Sequence, residues 1–185
     1  MKVLAISGSL RAASWNTALL RAMQQTAPSG VEVELCVLHD LPFFNEDLES
    51  ASGWPAAVMA LRRKVQEADA VIVSTPEYNS GMPGVLKNAF DWLSRTTAEH
   101  PSVLMDKPLA LVGATMGSFG TAIAQASALP MFRAVGMQLW AGQRLALPQA
   151  HLSLDAQGQI TGEALRPLLE QYMAGFAQFV RRCQH

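Results

Sequence analysis

The sequence predicts an α/β protein in which a five-stranded parallel sheet is doubly wound, with helices on both faces. Three observations carry that expectation. Four short apolar runs recur along the 185 residues, and segments of helical spacing separate them. The loops after the first, third and fourth runs are crowded with Gly, Ser, Thr, Pro and Asn. Strands covered by helices on both faces are apolar throughout rather than alternating. Strand–helix alternation then implies right-handed crossovers in one sheet.

The four runs span residues 3–7, 31–37, 70–75 and 109–114, and a fifth strand is expected within 138–147. Between the first two, Trp15, Leu19, Leu20 and Met23 mark one helix face. Val58, Leu61, Val65 and Ala68 mark the second. Val85, Leu86, Ala89, Phe90 and Leu93 mark the third, with Pro83 placed for its first turn. A fourth helix is expected over 120–135, bent or split by Pro130. The last carries Leu168, Leu169, Tyr172, Met173, Phe176 and Val180, with Pro167 either its first residue or an interior one. Residues 155–158, Asp-Ala-Gln-Gly, read as a turn.

Half the residues are hydrophobic and 16% are charged, so the chain is expected to fold as one compact domain over 1–185. Fourteen Lys and Arg against fifteen Asp and Glu leave a net charge of −1. That balance shows no footprint for nucleic acid, and none for an acidic electron carrier docking on basic partners. Cys36 and Cys183 have no metal-like spacing and point to a reducing compartment. The apolar start is too short for a secretory signal, and no run of 18 apolar residues suggests a membrane span, so the protein is expected in the cytoplasm. His39, His100, His151 and His185 lack ligand spacing, so no metal site is expected.

In a doubly wound sheet, ligands bind beyond the carboxyl ends of the strands, where strand order reverses. The first loop supplies Ser9, Arg11, Ser14, Asn16 and Thr17 at the start of a helix. Hydroxyls, an amide, a guanidinium and free main-chain N–H groups there suit a phosphate monoester. Ser14 could equally be a plain helix cap, with Arg11 on the surface. The three-glycine dinucleotide fingerprint and the Walker loop are both missing, which favours a mononucleotide over ATP. The second loop, residues 75–84, holds two prolines and two glycines, a rigid frame that can offer main-chain groups to the edge of a flat heterocycle. Tyr78 adds an aromatic surface. The third loop, residues 113–120, is small-residue rich and lets a ligand approach the main chain.

Gly8-Ser9-Leu10-Arg11 with Ser14 and Asn16, then Pro76-Glu77-Tyr78-Asn79, Pro83-Gly84, Leu86-Lys87-Asn88-Ala89 and Asp91-Trp92-Leu93, resembles the NADPH-dependent FMN reductase family, in particular its bacterial quinone and chromate reductase branch. The resemblance implies a flavodoxin-like sheet of order 2-1-3-4-5. It implies that Ser9, Arg11, Ser14 and Asn16 hold the FMN phosphate, with Thr17 at the helix start and Leu10 and Trp15 in the same cofactor-binding set. Pro76, Glu77, Tyr78 and Asn79 would line the isoalloxazine ring, mostly through the main chain, and Thr115 and Gly117 would flank it. The segment Ser80-Gly81-Met82 departs from the family pattern.

The function so implied is transfer of electrons from NADPH or NADH, through FMN and by ping-pong turnover, to a small acceptor. Quinones, chromate, azo compounds and free flavin are all candidates. A homodimer or homotetramer is implied, and no catalytic side chain is expected because the flavin does the redox chemistry. Two other classes stay open at this level: a flavodoxin-like electron carrier without enzymatic activity, and a non-redox ligand-binding α/β domain.

Overall fold

The computed structural model describes residues 1–184. Its strands are β1 (Lys2–Ser7), β2 (Glu32–Val37), β3 (Ala70–Ser74), β4 (Pro108–Ala114), β5 (Gln138–Leu139) and β6 (Leu145–Leu147). All pairings are parallel, in the order β2-β1-β3-β4-β5, and β6 pairs further along β4. Registers such as Val3 beside Ala70 and Val71 beside Leu109 bring the carboxyl ends of β1, β3 and β4 to one rim.

In place of the single fifth strand expected within 138–147, two short strands lie along one edge. Pro108 and Leu109 face Gln138 and Leu139, while Val112 to Ala114 face Leu145 to Leu147. Between them the chain leaves the ladder. The Trp140 ring packs on the last helix, 4.8 Å from Tyr172 and 5.6 Å from Phe176. Gly142 takes the bend, since a side chain there would run into the Trp140 indole. The Tyr172 hydroxyl donates to the Leu111 carbonyl (3.4 Å), a group that faces the gap.

The helices are α1 (Trp15–Gln25), α2 (Glu46–Ser52), α3 (Ala56–Glu67), α4 (Gly84–Leu93), α5 (Ala122–Ala134) and α6 (Leu165–Cys183). The sequence reading did not anticipate α2, a short acidic helix capped by Asn45, whose side chain accepts from Asp47 N. α5 runs through Pro130 without a break. Both Pro130 and Ala126, whose carbonyl loses its helical donor to the proline, are exposed, so water can serve that carbonyl. Pro167 is the third residue of α6, in the first turn, where an N–H has no partner in the helix anyway. The turn at 155–158 forms as expected, with Asp155 Oδ1 accepting from Gln157 N and Gln159 N.

Side-chain alternation along the strands splits the core in two. Val3, Ala5, Ile72, Ala110 and Val112 pack with α1 and α6 on one face. Leu4, Ile6, Val71, Val73 and Leu109 pack with α3, α4 and α5 on the other. Near the amino ends of the strands, Arg62 is only 4% exposed. Its guanidinium lies 4.7 Å from the Trp54 ring centroid and donates to the carbonyls of Leu93 (3.5 Å), Arg95 (3.2 Å) and Pro101. Lys107 Nζ donates to the Ala68 carbonyl at 2.6 Å. Both cations thus serve carbonyls at the carboxyl ends of α4 and α3, where the helix dipole favours positive charge. Burial pushes the Lys107 ammonium and the Arg62 guanidinium below their ordinary pKa values. Among the described residues no helix is long and apolar enough to cross a membrane.

Candidate cofactor site

Strand order reverses between β1 and β3, and the three unusual loops meet there. Gly8 N donates to Ser74 O (2.8 Å), tying the first loop to the end of β3, and Thr75 N donates to Val112 O (2.9 Å), tying the second loop to β4. Asn16 locks all three positions. Its Oδ1 accepts from Ser74 Oγ (2.8 Å) and Ala114 N (3.0 Å), and its Nδ2 donates to Ala114 O (3.0 Å).

The first loop leads into α1 without the polar partners a finished turn would have. Ser14 caps the helix, its Oγ accepting from Asn16 N (3.2 Å) and Thr17 N (3.3 Å). Ser9 is buried, and its Oγ accepts from Arg11 N at 3.4 Å. Thr17 Oγ1 pairs with Ser7 Oγ at 2.8 Å. Leu10, Arg11, Ala12 and Ala13 are exposed and Trp15 is half-buried. Among the described residues, nothing accepts from the N–H groups of Leu10, Ala12 or Ala13, or from the Arg11 guanidinium. No acidic residue sits in the first turn of α1 to offset its dipole.

In the second loop Pro76 is buried, and its carbonyl accepts from Thr75 Oγ1 at 2.8 Å. Glu77 reaches across to α5: its Oε2 accepts from Ile123 N and Ala124 N, both at 2.9 Å. Tyr78 and Gly81 exchange both main-chain bonds, at 2.9 and 3.0 Å, around Asn79 (φ 50°) and Ser80 (φ 62°). Two consecutive left-handed residues make this a tight mirror-image turn, the form taken by the Ser80-Gly81 departure noted in the sequence. It leaves Tyr78 half exposed and the N–H groups of Asn79 and Ser80 without acceptors among the described residues.

The third loop is anchored from a segment that sequence reasoning did not connect to it. Thr115 N donates to Leu147 O, Ala150 N to Thr115 O, and Gln149 N to Gly117 O, while Gly117 N donates to Thr115 Oγ1. Gly113 is required by close approach, because a side chain there would run into Thr121 Oγ1 and the Thr75 carbonyl. Met116 and Phe119, the latter 88% exposed, stand out from this loop.

The structure therefore brings the expected residues of all three loops to one rim, with two differences in orientation. Asn16 and Thr17 are turned inward, spent on β3, β4 and β1, so Arg11 and the loop N–H groups are the free donors. Glu77 contributes a carboxylate bond to α5 in addition to its main chain. Only the glycine-rich composition around 113–120 and the carboxylate of Glu77 hinted at these contacts in the sequence.

The donor set fits a flavin mononucleotide. A phosphate needs donors and finds them at the amino end of an 11-residue helix beside an unpaired guanidinium. A flat ring needs main-chain donors and an apolar wall, which the turn at Tyr78–Gly81 and the third loop supply. Elsewhere, an apolar groove of about 250 Å³ lies between α5 and the interrupted edge strand, lined by Leu111, Ala126, Leu129 and Trp140 among others.

Several known proteins are similar to this chain in sequence and fold. The family model for NADPH-dependent FMN reductases matches residues 1–152. An NAD(P)H-dependent FMN reductase of Pseudomonas aeruginosa is 39% identical over 182 residues, covering 98% of this chain and 96% of that protein. A 2-hydroxy-1,4-benzoquinone reductase of a Burkholderia species is 34% identical over 181 residues, covering 98% and 97%. Among solved structures, FerB, a flavoenzyme NAD(P)H:(acceptor) oxidoreductase from Paracoccus denitrificans, matches with a TM-score of 0.85 at 32% identity, covering 98% and 97%. With its parallel sheet in the flavodoxin-like order and its three loops meeting at the switch point, the chain belongs to the NADPH-dependent FMN reductase family.

Proposed function

We propose that residues 1–185 work as a single domain in which the first loop holds the FMN phosphate and the other two hold the ring. As a member of its family the protein is an FMN-dependent oxidoreductase that draws electrons from NAD(P)H and reduces quinones. The observation that carries the residue assignment is the set of unspent donors at the start of α1: Arg11 and the N–H groups of Leu10, Ala12 and Ala13.

FMN held by these loops would supply the redox chemistry, namely hydride uptake from the nicotinamide and electron delivery to the acceptor in alternating, ping-pong half-reactions. The protein's part is placement and electrostatics. Arg11 and the loop amides neutralise the phosphate, with Ser9 and Ser14 shaping the turn around it and Leu10 and Trp15 covering its sides. Asn16 and Thr17 hold that turn against the sheet. Pro76, Glu77, Tyr78 and Asn79 form the ring-side wall, where the free N–H groups of Asn79 and Ser80 face outward to stabilise negative charge. Thr115 and Gly117 are small enough to let the ring lie close to the main chain. No side-chain acid or base is needed for hydride transfer, so none is assigned.

The exposed side chains of Tyr78, Met116 and Phe119 suit an apolar, planar acceptor more than a chromate ion, although chromate, azo compounds and free flavin could also reach an open ring. The apolar groove beside α5 suits burial against a second copy, which supports a homodimer or homotetramer. The two free cysteines fit the reducing cytoplasm.

The test is a visible spectrum of the purified protein, followed by NAD(P)H consumption with and without menadione. The expected result is a yellow protein, or one that turns yellow with added FMN, whose NAD(P)H oxidation accelerates with the quinone. A protein that stays colourless and ignores added FMN contradicts the proposal.

A further inference from the structure

We propose that Glu77 is a positioning residue for the flavin site, fixing the ring-side loop against α5 before any cofactor arrives. The inference rests on the flavin reading of the rim. It adds a job for a side chain that the reading itself uses only through the main chain.

α5 begins without a cap of its own. Thr121 occupies the cap position but makes no side-chain bond to the first turn. Its hydroxyl accepts from Gln125 Nε2 at 3.0 Å, and its atoms lie where a Gly113 side chain would be. The missing acceptor comes from 46 residues upstream, where Glu77 Oε2 takes both Ile123 N and Ala124 N at 2.9 Å. A carboxylate suits that place, because the exposed N–H groups and the helix dipole both favour negative charge.

The position of Glu77 in its own loop gives the bond its consequence. On one side lies buried Pro76, and on the other Tyr78 opens the tight turn with Gly81. Holding the carboxylate on α5 sets the distance between that turn and the third loop, which runs directly into the same helix. A ring seated between the two loops needs that distance to be constant. Glu77 Oε1 meets no donor among the described residues, so the bridge uses one oxygen and leaves the other free.

The experiment compares Glu77→Ala, Glu77→Gln and Glu77→Asp with a control at the other end of the sheet, Lys107→Met. FMN affinity is read by fluorescence quenching, the ring environment by the visible spectrum of the bound cofactor, and stability by melting of the apoprotein. Loss of the cap in Glu77→Ala is expected to weaken FMN binding about tenfold and to shift the flavin spectrum. Gln keeps an acceptor of the right length and recovers part of both; Asp, one methylene short, recovers little. Lys107→Met lowers the melting temperature while leaving affinity and spectrum at wild-type values. Wild-type affinity and spectrum in Glu77→Ala would overturn the inference, as would an equal loss of FMN in Lys107→Met. If the unaltered protein takes up no FMN, the flavin reading falls and this inference falls with it, an outcome distinct from the other two.

Discussion

The two ends of the parallel sheet use the same kinds of side chain in opposite ways. At the amino ends, Arg62 is buried and spends its guanidinium on three main-chain carbonyls, and Lys107 spends its ammonium on a fourth. At the carboxyl ends, Arg11 is exposed, and among the described residues neither its guanidinium nor the N–H groups of Leu10, Ala12 and Ala13 have an acceptor. A cation whose hydrogen bonds are filled by its own chain is a strut. One left open at the start of a helix is an invitation to an anion. The difference separates structure from function without reference to residue type.

Substitutions should therefore divide along the same line. The largest effect is expected for Arg62→Ala, which leaves several carbonyls near the end of α4 without a donor. Stability should fall by about 3 kcal/mol in denaturant titration, while FMN affinity per folded molecule stays unchanged. Asn16→Ala tests a residue that sits at the binding rim but is spent like a strut. It should lose about 2 kcal/mol of stability and weaken FMN as well, because three buried bonds to β3 and β4 disappear together. Arg11→Ala should do the reverse of Arg62→Ala. Loss of a charge-assisted phosphate contact weakens FMN by about 2 kcal/mol, roughly 30-fold, with an unaltered melting temperature. A fall in melting temperature for Arg11→Ala would erase the contrast.

The smallest effect belongs to a charge that is neither buried nor open. Glu34 on the edge strand β2 pairs with Lys64 (2.8 Å) and Lys2 (3.1 Å). Hydrogen bonds first from Lys64 and then from Lys2 hold its carboxyl below the usual carboxylate range. A carboxyl depressed in the folded state adds stability above its unfolded pKa, about 4.3, and loses it as pH falls through the lower folded value. Glu34→Gln should cost about 0.5 kcal/mol at neutral pH, screened by salt, and that cost should fade in melts below about pH 4.

Much of this architecture was readable from the sequence, because the central strands are buried on both faces and so carry uninterrupted apolar runs. β1, β3 and β4 fall where those runs predicted, and the loops after them converge as their composition suggested. What escaped depended on distant partners. The break between β5 and β6 arises because Trp140 is drawn onto Tyr172 and Phe176, more than 30 residues later. α2 lacks the apolar spacing that marks a packed helix and depends on its Asn45 cap. At the site, the cluster of polar residues was visible, but the direction of each side chain was not. Asn16 beside a loop looks like a donor for phosphate until the carbonyl of Ala114 is found in front of it, 98 residues on. The bond that the Glu77 carboxylate makes to Ile123 N and Ala124 N is visible only once α5 is folded beside it.

Amide hydrogen exchange with and without FMN tests the central claim most directly, because it reads both ends of the sheet in one experiment. Added FMN should slow exchange in residues 8–17, 75–81 and 113–120, and leave 94–107 around the Arg62 strut unchanged. Protection confined to 94–107, or none anywhere at saturating FMN, would contradict the account.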